Sequence, residues 1–199
     1  MNLKFYYLKR GVVLLLILCI QSCSTNEKSR NLDQVFRYNE AGNITTLDPA
    51  FAKDLRTIWA TNQLFNGLVQ LNEELEVEPD IAHSWELSGD GTVYKFNLRK
   101  DVQFHRHILF GKDSTRSVVA SDFEYSFNRL LDPKVASPGK WVLEYVKFFR
   151  AVNDSVFTIQ LKQPFPPFLS LLSMKYCAVV PKEAVLFFKD DFRSNPIGT

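Results

Sequence analysis

The sequence predicts a mixed α/β fold, because some segments alternate like strands and others repeat apolar residues at helical spacing. Two predicted strands carry an apolar residue at every second position: Tyr94, Phe96 and Leu98 in the first, and Phe157, Ile159 and Leu161 in the second. A predicted helix carries Phe123, Phe127, Leu130 and Leu131 on one face. With 46% hydrophobic and 23% charged residues among 199, the composition is that of an ordinary globular protein, which disfavours disorder.

The first 22 residues have the pattern of a bacterial export signal. Lys4, Lys9 and Arg10 precede an apolar run over residues 12–20, which is too short to span a bilayer comfortably. Residues 20–23 then resemble the lipobox of bacterial lipoproteins, in which Cys23 carries the lipid and Gln21 is larger than usual. An ordinary secretory signal or a membrane anchor is the alternative. Residues 23–32 are polar and predict a flexible tether that holds the folded part off the membrane.

The charge of the mature chain argues against nucleic acid as a partner. The whole sequence carries a net charge of +2, but the predicted signal contributes three of the basic residues and no acid. Removing them leaves 21 basic and 22 acidic residues. A chain with this balance has no electrostatic drive toward a phosphate backbone.

Cysteine usage agrees with removal of the predicted signal and lipidation of Cys23. Cys19 leaves with the signal and Cys23 is lipidated, so Cys177 has no partner for a disulfide in the mature chain. The small apolar neighbours of Cys177 predict a buried thiol and not a nucleophile.

Two helix starts can be predicted from capping patterns. Apolar residues from Leu55 to Leu68 recur at helical spacing after Asp54, a plausible N-cap, and we interpret Trp59 on this helix as a core aromatic. Ser121 and Glu124 have the spacing of a capping box at the start of the second helix.

The most informative stretch is the predicted hairpin of residues 83–105, in which Gly89 and Gly91 supply a tight turn. Its short pieces are Ser84-Trp85-Glu86, Asp90-Gly91, Tyr94-Lys95-Phe96, Leu98-Arg99 and Val102-Gln103-Phe104-His105. In this order and spacing they resemble the signature of the bacterial extracellular solute-binding proteins of family 5, the oligopeptide, dipeptide and nickel binding proteins of ABC importers. The resemblance continues at Leu47-Asp48-Pro49-Ala50, at Ala120, Asp122, Tyr125, Ser126 and Arg129, and at Val180-Pro181-Lys182.

The resemblance implies a periplasmic-binding-protein-like fold of type II, cluster C. It divides the chain into the start of domain I at residues 33–70, domain II at 71–190 and a return to domain I at 191–199. It covers residues 35–199 but only the first part of a family member, so a truncated remnant or a single lobe is one expectation. The other is a binding protein that captures oligopeptides or dipeptides and delivers them to ABC permease and ATPase subunits.

Candidate ligand-binding residues follow from the same resemblance. The alternation of Val35-Phe36-Arg37-Tyr38 predicts a first strand. In the family, the loop after Leu47-Asp48-Pro49 leaves this strand at the rim of the ligand cleft, so we expect contacts from Phe51, Ala52, Lys53, Asp54 and Leu55. Lys53 departs from the acidic residue found there in one branch of the family, which disfavours recognition of a free ammonium group. Gly139 stands where several relatives place a pocket-lining aromatic, so either the pocket is wider there or Trp141 substitutes.

Two other kinds of site are compatible with parts of the sequence, a metal site and a hydrolytic site. His105 and His107 lie two apart and are weak candidates for a metal site, because rings at this spacing share one side of an extended segment. Only His83 could join them, and it would have to arrive by folding. A lipid-anchored hydrolase is a further alternative, but the sequence lacks a Gly-x-Ser-x-Gly elbow, His-Glu-x-x-His and a P-loop. We therefore expect a binding protein without cofactor, and not an enzyme.

Overall fold

The structure is a computed structural model that describes Arg37 and residues 39–199. The predicted signal, Cys23, the tether and, apart from Arg37, the predicted strand at residues 35–38 lie outside the described residues. Residues 40–199 form one compact unit. Within the described part of the chain, no helix has both the length and the apolar character needed to cross a bilayer.

The centre of this unit is a four-stranded antiparallel sheet. Its strands are β3 (Ala82–Leu87), β4 (Val93–Leu98), β5 (Val146–Asn153) and β6 (Val156–Leu161), in the spatial order β3-β4-β6-β5. Phe96 pairs with Trp85 on one side and with Phe157 on the other. Because side chains alternate across a sheet, this register places the predicted apolar residues of β4 and β6 on the same face, where all are buried.

One helix covers that face. Helix α2 (Ala120–Leu131) follows α1 (Leu55–Asn62) in the chain and packs on β5 and β6. The ring of Phe127 meets those of Phe149 and Phe157 edge to face, each at 5.5 Å between centroids. Leu130 is buried as predicted, whereas Leu131 is exposed and does not belong to the core face.

The predicted hairpin between β3 and β4 is confirmed, and its turn depends on one glycine. Gly91 has a φ of +70°, whereas Gly89 is not in the left-handed region. Asp90 completes the turn, because its carboxylate accepts hydrogen bonds from the hydroxyls of Ser88 and Thr92.

Helix α1 begins as predicted, with the Asp54 carboxylate accepting a hydrogen bond from the amide of Thr57 at 3.1 Å. It ends at Asn62, short of the predicted Leu68. The interpretation of Trp59 as a core residue is wrong, because its side chain is 54% exposed while Thr57 and Thr61 face the interior. The Thr61 hydroxyl can be buried there because it donates to the carbonyl of Thr57 within the helix.

The predicted capping box at the start of α2 is also wrong in its residues. The N-cap is Val119, and the Asp122 carboxylate reaches back to accept from the Val119 amide at 3.0 Å. The Glu124 carboxylate instead accepts from the amide of Ala151 on β5, at 2.7 Å. Glu124 therefore ties the helix to the sheet instead of closing its own first turn.

The remaining elements are short. Strands β1 (Val69–Leu71) and β2 (Val77–Pro79) form a two-stranded antiparallel sheet, and two further helices are α3 (Phe168–Leu171) and α4 (Lys182–Phe188). Turns of 3-10 helix occur at Pro49–Phe51, Ile108–Asp113, Pro138–Leu143, Lys175–Cys177 and Lys189–Ser194. The last four described residues return to the start of the unit, where the amide of Thr199 donates to the carbonyl of Leu64 at 3.0 Å.

Candidate functional site

The predicted cleft loop is a short, ordered turn. Asp48 caps the 3-10 turn Pro49–Phe51 by accepting a hydrogen bond from the amide of Ala50 at 3.1 Å. The chain then passes through buried Ala52 and exposed Lys53 into α1. Both oxygens of the Asp54 carboxylate are held by Thr57, one by its amide and one by its hydroxyl at 2.9 Å. These bonds lower the pKa of Asp54.

A buried ion pair fixes this loop to α2. The Arg129 guanidinium donates through Nη1 to Oδ1 of Asp48 at 2.9 Å and through Nη2 to Oδ2. Side-chain exposure is only 11% for Arg129 and 5% for Asp48. A bidentate pair of this kind fixes both position and orientation, so the cleft loop is rigidly placed.

The 3-10 turn Pro138–Leu143 lies beside the loop. The Ser137 hydroxyl donates to the carbonyl of Ala50 at 2.5 Å and accepts from the amide of Gly139 at 3.0 Å. Gly139 is buried, and the Tyr176 side chain occupies the space that a side chain at residue 139 would need. Trp141 is 46% exposed.

A cleft of about 400 Å³ opens where these segments meet. Its lining consists of Thr45, Thr46, Phe51, Lys53, Ala136, Pro138 and Arg193. Of the predicted site residues, only Phe51 and Lys53 line it. Ala52, Asp54, Leu55, Gly139 and Trp141 lie outside the lining. No sequence pattern indicates Arg193 as a site residue, because it lies 140 positions beyond Lys53 and reaches the same cleft only in the folded chain.

A second groove adjoins the first. It has a volume of about 640 Å³ and shares Phe51 and Arg193 with the smaller cleft. Charged side chains of both signs border it, among them Asp132, Lys134 and Lys189. Tyr125 also lines it, and burial raises the pKa of the Tyr125 hydroxyl.

The two candidate metal-binding histidines have backbone partners. Nδ1 of His105 accepts from the amide of Gly198 at 3.3 Å, and Nδ1 of His107 accepts from the amide of Leu109 at 3.2 Å. In the described part of the chain, no group of three or more histidine, cysteine, aspartate or glutamate side chains could hold a metal ion.

Cys177 is confirmed as a buried residue. Its side chain is fully enclosed, and burial raises the pKa of the thiol to about 12. The thiolate needed for nucleophilic attack is therefore scarce at neutral pH.

The chain belongs to the bacterial extracellular solute-binding proteins, family 5, because the profile of the middle part of that family matches residues 76–199. Heme-binding protein A of Haemophilus influenzae is 30% identical over 100% of this chain and 40% of its own length. The periplasmic murein peptide-binding protein MppA of Escherichia coli is 35% identical over 63% of this chain and 25% of its own length.

Solved structures agree with the predicted periplasmic-binding-protein-like fold, which is confirmed. The periplasmic binding protein DppA of Helicobacter pylori, solved in complex with a peptide, superposes with a TM-score of 0.69 at 31% identity. That match covers 78% of this chain and 33% of the DppA chain. By their names, the family and these relatives are binding proteins and not enzymes. This chain spans between a quarter and two fifths of the length of these relatives.

Proposed function

We propose that this chain supplies the solute-capturing part of a substrate-binding protein of an ABC transporter. It takes up oligopeptides or dipeptides outside the inner membrane and delivers them to ABC permease and ATPase subunits. The observation that carries the proposal is the cleft at the loop of residues 48–54, on a fold whose relatives include named peptide-binding proteins. A loop held by a buried ion pair needs little ordering when a ligand binds, which favours affinity.

The ligand contacts in this proposal come from two segments. Phe51 and Lys53 contribute from the lining of the cleft. Ala52, Asp54 and Leu55 of the same loop and Gly139 and Trp141 of the neighbouring turn complete the candidate set, although they lie outside that lining. In the proposed division of the chain, residues 33–70 and 191–199 belong to domain I and residues 71–190 to domain II. The close approach of Thr199 to Leu64 supports this division, because it joins the two ends of domain I.

The proposal includes a lipid anchor. Residues 1–22 serve as the signal, Cys23 carries the lipid, and residues 23–32 tether the folded unit in the cell envelope so that it faces the periplasm. Mass spectrometry of the protein purified from membranes tests this point. We expect an acylated N-terminal cysteine, and unprocessed protein without lipid in the Cys23→Ser variant. An unmodified Cys23 in the mature wild type would contradict the anchor.

Solute capture is tested by titrating a library of dipeptides to pentapeptides against the purified full chain by isothermal titration calorimetry. We expect saturable binding at micromolar concentration and loss of most of it in Phe51→Ala, which removes a cleft wall. Phe148→Ala is the matched control, because Phe148 is an exposed phenylalanine of β5 outside the cleft. Equal weakening by both substitutions, or no binding of any peptide, would refute the proposal.

A second candidate is a single lobe that does not bind solute by itself. The observation that favours it is the apolar side of α1, where Leu55 is 64% and Trp59 is 54% exposed. Exposed apolar side chains one helical turn apart are typical of a surface that another polypeptide covers. The same titration separates the two candidates, since saturable binding by the chain alone contradicts this one.

A further inference from the structure

The charged residues that line the smaller cleft are all positive. Lys53 and Arg193 are the charged residues of its lining, and no carboxylate among the described residues lines it. Lys53 reaches it from the loop before α1, and Arg193 from the 3-10 turn Lys189–Ser194. Two cations beside one small cleft create a positive potential that attracts an anion.

Among the described residues, neither cation forms an ion pair with the carboxylates closest to it in the sequence. Asp54 follows Lys53 directly, but both of its oxygens are used by Thr57. Arg193 donates from Nε to the backbone carbonyl of Asp190 at 2.9 Å and has no carboxylate partner among the described residues. Lys53 likewise has no ion pair within the described part of the chain. The ammonium of Lys53 and the terminal nitrogens of Arg193 therefore remain available to a ligand.

The rest of the lining suits an organic acid. Thr46 accepts a hydrogen bond from the amide of Asp48 at 3.0 Å, which leaves its hydroxyl hydrogen free to donate, and the Thr45 hydroxyl has no partner among the described residues. Phe51 and Pro138 supply apolar walls. Ala136 has a φ of +50°, a conformation that favours glycine, and this strain lies in the wall of the cleft.

We propose that this cleft binds the carboxylate of the transported solute between Lys53 and Arg193, with an apolar group of the solute against Phe51 and Pro138. This inference rests on the proposed function and specifies which end of a solute the cleft accepts. Lysine and arginine both donate charge-assisted hydrogen bonds to a carboxylate, and the two threonine hydroxyls can complete its set of donors.

The test measures the binding of three phenylalanine derivatives to the purified full chain. They are N-acetyl-phenylalanine, which is an anion, its neutral amide, and phenylalanine amide, which is a cation. We expect the anion to bind at least about tenfold more tightly than the neutral amide, because a hydrogen bond to a charged group contributes more than one to a neutral group. The preference should shrink as salt is raised, since both cations are exposed.

Three variants assign the effect to the cleft. Lys53→Met and Arg193→Met should each weaken binding of the anion by about fivefold or more. Lys134→Met is the matched control, because Lys134 borders the larger groove and does not line this cleft. The double variant Lys53→Glu with Arg193→Glu should invert the preference, so that the cation binds more tightly than the anion, because both charged residues of the lining are then negative. An unfolded variant would bind none of the probes and could not show this inversion.

The outcomes separate this inference from the proposed function. Equal affinity for anion and neutral amide, or a preference for the cation in the wild type, overturns the carboxylate site. In that case peptide binding in the library titration would still support the transport function. If none of the three probes binds at millimolar concentration, the carboxylate site is also overturned. If no peptide of the library binds either, the carboxylate site and the transport function are both overturned.

Discussion

The side chain of Tyr176 occupies the position at which a side chain of residue 139 would stand. A Cβ added to Gly139 would lie 2.6 Å from Cβ of Tyr176 and closer still to its ring. The Tyr176 side chain therefore leaves no room for any side chain at residue 139. An aromatic at residue 139 could not be accommodated without moving Tyr176, so the space beside Gly139 is filled by a residue remote in sequence.

This relationship predicts a coupled pair of substitutions. Gly139→Ala should lower the free energy of unfolding by about 1–3 kcal/mol, because an added methyl group in a filled site forces neighbours to move. Combined with Tyr176→Ala, the loss should be smaller than the sum of the two single losses. Urea unfolding measures all three variants. Gly89→Ala is the control, since no atom lies within 4 Å of its added Cβ. If the loss in the double variant equals the sum of the two single losses, residues 139 and 176 do not compete for the same space.

Alanine should be tolerated less well at residue 198 than at residue 139. Its added Cβ would overlap the backbone carbonyl of Leu64, with the carbonyl carbon at 2.6 Å, and backbone cannot rotate aside. We expect Gly198→Ala to weaken the contacts of the end of the chain, among them the hydrogen bonds from the Thr199 amide to the Leu64 carbonyl and from the His105 amide to the Gly198 carbonyl. Hydrogen exchange should become at least about tenfold faster at these two amides and stay unchanged at the amide of Phe96. Unchanged exchange at Thr199 would contradict the close approach.

Removing one partner of the Asp48–Arg129 pair should lower the free energy of unfolding more than removing both partners. Asp48→Ala leaves a buried guanidinium without its partner, for which we expect a loss of about 3–5 kcal/mol in the free energy of unfolding. The double variant Asp48→Ala with Arg129→Met should recover part of that loss. Asp101→Ala breaks the exposed pair with Arg99 and should cost no more than about 1 kcal/mol. Equal costs for Asp48→Ala and Asp101→Ala would mean that burial of the first pair has no energetic consequence.

The ion pair between Arg116 and Glu183 of α4 should make an acid-sensitive contribution to the free energy of unfolding. The Arg116 guanidinium donates to Asp122 at 2.8 Å and to Glu183 at 2.7 Å. Burial alone would lower the pKa of Arg116, but the bonds to Asp122 and Glu183 outweigh burial and raise it. The bond to Arg116 lowers the pKa of Glu183 below its ordinary value of 4.5. The ionised Glu183 therefore stabilises the fold above about pH 4.5, and this contribution is lost as the pH falls through the lowered value.

Urea unfolding at a series of pH values tests this contribution. Wild type should exceed Glu183→Gln in stability at neutral pH, and the difference should shrink below about pH 4.5. In an Arg116→Met background the same substitution should give little difference at any pH. A difference that grows toward acid would have the wrong sign and would contradict the pairing.

Elements with strong local signals were predicted well from the sequence. The hairpin of β3 and β4, the strand β6, the helix α2 and the Asp54 cap of α1 are all present. Each depends on alternation, helical spacing or a cap, which act over a few residues. Burial of Cys177 was also predicted, because small apolar neighbours on both sides of a thiol indicate a core position.

Features that depend on distant residues were not predictable. Trp59 looked like a core aromatic, yet α1 turns its threonines inward, since their hydroxyls can be satisfied within the helix. The N-cap is Val119 and not Ser121, and the Glu124 carboxylate bonds to the Ala151 amide on β5 instead of the helix start, a contact between residues 27 positions apart. His105 and His107 looked like possible ligands but bond to backbone amides, one of them 93 positions away.

The sequence by itself determined the family, the fold class and the loop on which the candidate site is built. These follow from patterns that local chemistry imposes, such as alternation in a strand or a proline that breaks a helix. The tertiary structure decided the composition of the site. Arg193 faces the same cleft as Lys53, Tyr176 fills the space beside Gly139, and Arg129 neutralises Asp48. Each of these pairs joins residues far apart in the chain, and only packing around a shared core brings them within contact distance.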